Sequence, residues 1–160
     1  MSEPIRKVSI VFLLTNQNIL LAMKKRGFGQ GHWNGVGGKP NPGESIEDTA
    51  IRECQEEIEV TPLKLKEVAI LNFFSPPEKS QNNQQAHVYI CKQWEGKPTE
   101  TEEMKPKWFP INKVPYEEMW PDDIYWLPQL LKGQKLVADI FFDISDNYIK
   151  HDIKKLTAIK

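Results

Sequence analysis

Between residues 27 and 43 the chain runs GFGQGHWNGVGGKPNPG, with seven glycines and two prolines in a stretch where neither helix nor strand is sustained. Any fold must therefore be built around a long loop that its surroundings hold in shape. Such a loop inside a compact domain is usually functional. Directly after it the sequence turns helical. Ser45 and Asp48 form an S-x-x-D capping pattern, and Glu44 and Glu47 suit the positive end of a helix dipole. Ile46, Ala50, Ile51, Cys54 and Ile58 recur at helical spacing, so one side of this helix packs on a core. Glu53, Glu56 and Glu57 border that stripe, within an arc of roughly 100°. Like charges at this spacing repel by a few tenths of a kcal/mol per pair, so the cluster faces either water or a cation. A glutamate-rich helix is most often a solvated face, but a position at the seam between core and solvent weakens that reading.

The rest of the chain is rich in strands. Residues 6–14 and 18–24 are apolar runs separated by Thr15-Asn16-Gln17, a pattern that predicts a hairpin. Strands are expected at 64–75 and 85–94, on either side of the turn-rich PPEKSQNNQQ, with a short extended piece at 105–110. Residues 122–132 read as a short helix closed by Gly133, with Pro128 disturbing its start or kinking it. A last hairpin is expected from 135–143 and 147–156. Strands flanking one long helix, with a second helix near the end, predict an α+β sandwich in a single domain over 1–160.

Composition narrows the function. A chain of 160 residues, 39% hydrophobic with five Trp and seven Phe, can bury a sizeable core. Its net charge of −1 leaves no electrostatic footprint for a nucleic acid polymer or an anionic membrane. Cys54 and Cys91 stand in no CxxC or zinc-ligand pattern, which suits reduced thiols in the cytoplasm. The apolar run near the N-terminus lacks a cleavage pattern and reads as a first strand, and no run reaches transmembrane length. A monomer acting on a small nucleotide fits these features.

Hard divalent cations such as Mg²⁺ take oxygen ligands shared between carboxylates and substrate phosphates. Glutamates along one helix edge provide such ligands, and a metal-bound water there is acidified toward hydroxide, as phosphoanhydride hydrolysis needs. Arg52 can hold one of the carboxylates through a bidentate pair. The order Gly38, five residues, Glu44, seven residues, then Arg52-Glu53-Cys54-x-Glu56-Glu57-x-x-Val60 resembles the Nudix box, G-x5-E-x7-R-E-U-x-E-E-x-G-U with U bulky and apolar. Two positions depart from it. Cys54 replaces an aliphatic residue as a small hydrophobe, and Glu59 stands in place of the glycine that favours a left-handed helix end.

The likeness extends over nearly the whole chain to the MutT-type Nudix hydrolases, including those acting on oxidised purine nucleoside triphosphates. MKKRGFGQGHWNGVGGK at 23–39, EEMKPKWF from 102 and MWPDDIYW ending at 126 carry it. The resemblance implies a Nudix-type α/β/α sandwich with a mixed central sheet, Mg²⁺ as cofactor with Mn²⁺ as a substitute, and cleavage of 8-oxo-dGTP or 2-oxo-dATP type substrates to monophosphate and pyrophosphate. By the same resemblance Glu53, Glu56, Glu57, Glu103 and the Gly37 carbonyl are metal positions. Glu56 is the preferred general base within a catalytic set of Glu53, Glu56, Glu57 and Arg52. Ser9, Lys24, Asn34, Gly35, Val36, Gly37, Gly38, Trp120, Pro121, Asp122 and Asp123 are nucleotide-contacting positions, with Phe28 and Phe73 as pocket walls. Chemistry alone leaves two readings open for some of these. Asp122 and Asp123 suit a helix N-cap as well as a proton-sharing pair that reads a base edge, and Trp120 suits core packing as well as stacking. Two rivals stand beside this function. One is a Nudix hydrolase of another nucleoside diphosphate derivative, which the Trp-Pro-Asp-Asp run disfavours; the other is a silent Nudix-fold binding module, which the complete set of box glutamates disfavours. His32, His87 and His151 fall in no pattern and receive no role.

Overall fold

Strand β1 (Arg6–Leu13) is apolar on both faces beyond Ser9, and both faces are covered. The computed structural model describes residues 5–27 and 29–156. After β1 come β2 (Asn18–Lys24), β3 (Trp33–Asn34), α1 (Ile46–Ile58), β4 (Thr61–Pro62), β5 (Leu65–Phe74), β6 (Gln84–Cys91), β7 (Trp94–Glu95), β8 (Met104–Pro110), α2 (Asp123–Leu131), β9 (Lys135–Phe142) and β10 (Tyr148–Leu156). Parallel pairing of β1 with β6 and of β5 with β9, and antiparallel pairing of β5 with β6 and of β9 with β10, make a mixed five-stranded sheet in the order β1-β6-β5-β9-β10. A three-stranded sheet, β3-β2-β8, lies beside it, and β4 pairs with β7. The hairpin expected from 135–143 and 147–156 is present as β9 and β10.

Strand alternation decides where the helices go. Phe12 of β1 and Ala86 and Val88 of β6 share a core with Trp126, Leu127 and Leu130 of α2. The alternate residues Val11, Leu13, Tyr89 and Cys91 share another with Ala50, Cys54 and Ile58 of α1. Successive strand residues face opposite ways, so the helices sit on opposite faces of the sheet as an α/β/α sandwich. Cys54 is wholly buried in the aliphatic position it was expected to fill. Pro128 does not delay the start of α2, which continues through it to Leu131. Burial of Trp126, Leu127 and Leu130 offsets the lost backbone bond.

The first hairpin is a correction. β1 and β2 approach through a single bridge, Leu14 to Ile19, and then enter different sheets. The glycine loop takes the place expected for β2: Ser9 N donates to Gly38 O at 2.9 Å, and Val11 and Val36 exchange bonds of 2.6 and 2.9 Å. A segment that can lie this close to β1 occupies its edge and leaves β2 free to pair along β8. Among the described residues no helix is long and apolar enough to cross a membrane.

Candidate active site

Backbone proximity seats the loop. A β-carbon at Gly37 would overlap the Ser9 carbonyl oxygen, and one at Gly35 would lie 2.6 Å from Ile10 Cγ2. Ser9 is buried, and its hydroxyl sits 3.3 Å from Gly38 N, so the expected nucleotide contacts Ser9 and Gly35–Gly38 form one strip along β1. Asn34 begins the strip by accepting a 2.7 Å bond from Gly35 N on its Oδ1. A β-carbon at Gly38 would stand 2.6 Å from the Glu53 carboxyl carbon, which shows how closely the loop approaches α1.

Helix α1 starts as its sequence predicts, with Ser45 Oγ accepting from Asp48 N at 3.1 Å. Its buried face is turned from the expected stripe: Ile46 and Ile51 are only half-buried, while Thr49 and Glu57 are buried. Thr49 tolerates burial because its hydroxyl donates to Glu44 Oε1 at 2.7 Å. Arg52 ties the glutamates together. It donates from Nε and Nη2 to Glu44 at 2.9 and 3.0 Å, from Nη1 to Glu53 at 2.9 Å and Glu56 at 3.1 Å, and from Nη2 to Lys39 O at 3.0 Å. The Arg52 bonds come first among the causes that lower the Glu44 carboxyl to about 2. Arg52 thus holds Glu44, Glu53 and Glu56 in a fixed relation to one another. Its neighbour Glu53 is well covered, whereas the Glu56 side chain is 59% exposed.

Glu57 is the unusual carboxyl. Its Oε2 is buried without a hydrogen-bond partner among the described residues. Burial first, then the adjacent Glu53 and the charge of Glu103, push it up to about 9, against the opposing pull of Lys24. Lys24 and Glu103 are therefore near enough for their charges to act on Glu57. Thr101 brings the later loop in: its hydroxyl donates to Glu57 O at 2.8 Å, and Glu103 N lies 3.3 Å from that hydroxyl. Sequence reasoning missed Thr101, because only the folded chain sets it against the helix end.

Glu59 has φ 60° and ψ 36°, the left-handed conformation that the missing glycine would adopt more easily. The helix end is held regardless. Glu59 N donates to Gln55 O and Val60 N to Cys54 O, both at 3.2 Å, and Thr99 N donates to Ile58 O at 2.9 Å. Gly96 lies so close that a β-carbon there would be 2.7 Å from Glu59 O. A nearby glycine thus supplies close packing at the helix end, while Glu59 itself bears the strain.

A second group of candidate residues lies on the α2 side of the sheet. Asp122 and Asp123 are 2% and 3% exposed. Trp126 Nε1 donates to Asp122 Oδ2 at 2.9 Å, and Trp120 N donates to Asp123 Oδ2 at 3.2 Å. Asp122 occupies the N-cap position but makes no side-chain cap bond, so the helix-cap reading fails for it. Burial raises the affinity of both carboxyls for protons, and for Asp123 the Asp122 charge adds to the effect and carries it well above the usual range. Trp120 is half-buried and stacks on His32, with ring centres 4.4 Å apart and planes 4° from parallel. Phe73 packs against Phe142 at 6.1 Å in the cluster that also holds Met119 and Trp126, whereas Pro121 is exposed. Phe142 had no sequence signal, because it meets Phe73 only through the parallel register of β5 and β9. Phe28 lies outside the described residues.

The donor set suits a hard divalent cation: clustered carboxylate oxygens, one of them buried and unpartnered, beside the Gly38 backbone. Among the described residues no three acidic, histidine or cysteine side chains are disposed as a ready cage, and Arg52 holds both Glu53 and Glu56 by their oxygens. Half-exposed Glu56 is the member freest to turn from Arg52 toward an ion.

Comparison with known proteins places this arrangement. The NUDIX domain profile matches residues 4–130. The chain is 39% identical over 155 residues to the oxidized purine nucleoside triphosphate hydrolase of Mus musculus, covering 96% of this chain and 97% of the relative. It is 36% identical over 149 residues to the protein of the same name from Danio rerio, covering 93% and 94%. A crystal structure of a MutT protein from Bacillus halodurans superposes with a TM-score of 0.81 at 21% identity, covering 93% of this chain and 97% of that one. Nudix hydrolases generally use divalent metal cations. On the profile match and these identities, the chain belongs to the Nudix family of phosphoanhydride hydrolases.

Proposed function

We propose that the chain hydrolyses oxidised or otherwise modified purine nucleoside triphosphates, of the 8-oxo-dGTP and 2-oxo-dATP type, to the monophosphate and pyrophosphate, and so keeps such nucleotides out of the precursor pool. The observation that carries the substrate class is the buried Asp122–Asp123 pair, to which the Trp120 backbone N–H donates. Two adjacent carboxyls that favour the protonated state can donate from one oxygen and accept at another. A purine edge altered by oxidation presents the complementary pattern. The names of the mouse and zebrafish relatives point the same way.

In this reading Trp120, Phe73 and Asn34 orient the base, and Lys24 and the backbone of Gly35–Gly38 meet the phosphates. Glu53, Glu56, Glu57, Glu103 and the Gly37 carbonyl would hold Mg²⁺, or Mn²⁺ in its place, which when bound neutralises phosphate charge and acidifies water. Glu56 takes the proton of the attacking water as its oxygen bonds to phosphorus, and pyrophosphate leaves with the electrons of the broken P–O bond. Arg52 keeps the helix carboxylates in place. Both cysteines are free and buried, which suits a cytoplasmic setting, and in this reading the chain acts as a monomer. The test is a steady-state comparison of 8-oxo-dGTP, 2-oxo-dATP, O6-methyl-dGTP and dGTP with Mg²⁺ present. A higher kcat/KM for at least one modified purine than for dGTP is expected, and equal values for all four would reject the substrate class.

A further inference from the structure

We propose that His32 is a positioning residue: its imidazole fixes the plane of the Trp120 indole, and through that plane sets the discrimination among purine bases. The proposal rests on the reading of Trp120 as the surface that meets the base. Three observations carry it. The first is the near-parallel stack, with 4.4 Å between centres and 4° between planes. An offset stack of two flat rings resists rotation of either, because turning the indole about its side-chain bonds separates the faces.

The second is the set of backbone hydrogen bonds around the imidazole. His32 sits at the end of a turn in which Gln30 N donates to Gly27 O, Gly31 N to Lys24 O and His32 N to Gly29 O, at 3.2, 3.3 and 3.1 Å. Gly29 and Gly31 adopt φ of 90° and 86°, which side-chain-bearing residues rarely do, so the tight turn depends on glycine at both positions. A β-carbon at Gly29 would lie 3.5 Å from Trp120 Cζ2 and 3.9 Å from Lys24 Cδ. The turn therefore borders the indole edge while its last residue covers the indole face, and its other side rests on the lysine that neighbours Glu57.

The third is an unpaired polar atom. His32 Nδ1 is buried and has no hydrogen-bond partner among the described residues. Leaving a ring nitrogen dry costs free energy that a phenyl ring in the same place would avoid. The imidazole is thus oriented by its stack on Trp120, not by a hydrogen bond from its Nδ1.

If the stack holds the indole in one orientation, losing it lowers the fraction of molecules ready to bind and weakens apparent affinity in proportion. His32→Ala is expected to raise KM for 8-oxo-dGTP about five- to tenfold with kcat within about twofold, and to narrow the kcat/KM ratio of 8-oxo-dGTP over dGTP. His32→Phe, which keeps a stacked ring, is expected to return KM toward the parental value. In a Trp120→Ala background His32→Ala should add nothing further, because its effect runs through the indole. If Trp120→Ala raises KM while His32→Ala leaves it unchanged, the proposal is overturned and the base-binding reading stands. If Trp120→Ala itself leaves KM unchanged, that reading fails and takes the proposal with it. A loss confined to kcat, or one matched by a lowered urea midpoint, overturns the positioning role in favour of a merely structural one.

Discussion

Substituting Gly37 by alanine attacks the contact on which the site is assembled. Its β-carbon would overlap the Ser9 carbonyl oxygen, which belongs to a strand buried on both faces, so the loop must yield instead. A displacement of about 1 Å is enough to turn a made hydrogen bond into a broken one. Three backbone bonds run between loop and strand there: Ser9 N to Gly38 O at 2.9 Å, Val11 N to Val36 O at 2.6 Å, and Val36 N to Val11 O at 2.9 Å. At about 0.5–1.5 kcal/mol each, their loss amounts to roughly 2–4 kcal/mol. For a chain of this size that corresponds to a fall in Tm of roughly 4–16 °C. Urea unfolding followed by tryptophan fluorescence measures the first quantity and calorimetry the second. Turnover should fall as well at a temperature where the variant is fully folded, because the Gly37 carbonyl and the surface against Glu53 move together. A destabilisation below about 0.5 kcal/mol with parental turnover would refute the argument that this strip is clamped to β1.

Other perturbations probe single features. Glu59→Gly relieves the left-handed strain at the end of α1 and should stabilise the protein by about 1 kcal/mol, read from the urea midpoint; a neutral or destabilising result means that the Glu59 side chain contributes contacts of its own. Glu44 stands at about 2 in the folded protein against an ordinary value of 4.5, so the unfolded chain binds its proton first as pH falls. Its stabilisation is complete above about 4.5 and disappears as pH drops through about 2. Glu44→Gln should therefore flatten the unfolding midpoint against pH within that window, and an unaltered acid limb would show that the Arg52 pair does not carry it. Asp122→Asn keeps an acceptor for Trp126 Nε1 but loses the carboxyl proton, so the preference for oxidised over normal purine should fall about tenfold while the dGTP rate holds. Equal losses on both nucleotides would count against base reading.

The long helix and its ligand candidates were legible in the sequence because their signals are local. The Ser45 cap, the apolar spacing and the box glutamates lie within one stretch and need only helical geometry to be placed. The partner of β1 was not legible. Two apolar runs joined by three polar residues read as a hairpin, and only the closeness of Gly35 and Gly37 to the β1 backbone shows that the loop claims that edge. Burial along α1 was misjudged for a related reason. Hydrophobicity favours Ile51 for the interior, whereas tertiary packing buries Thr49, satisfied by Glu44, and Glu57, which is not fully satisfied. His32 was set aside as a lone histidine, since a stack across 88 residues leaves no pattern in the chain. The Asp122–Asp123 pair could be named from sequence but not decided. Its depth, and the absence of a side-chain cap bond from Asp122, are properties of the packed α2 face.

Glu56→Gln tests most directly the proposal that the carboxylate helix is a metal platform with Glu56 as the base. The side chain is 59% exposed and, among the described residues, its ion-pair partner is Arg52, so the amide should leave the urea midpoint near the parental value. Pyrophosphate release from 8-oxo-dGTP, measured across a Mg²⁺ titration, is predicted to be Mg²⁺-dependent in the parent and to fall about a hundredfold or more in the variant. Turnover within about tenfold of the parent, or release in the parent that does not respond to Mg²⁺, would contradict the central claim.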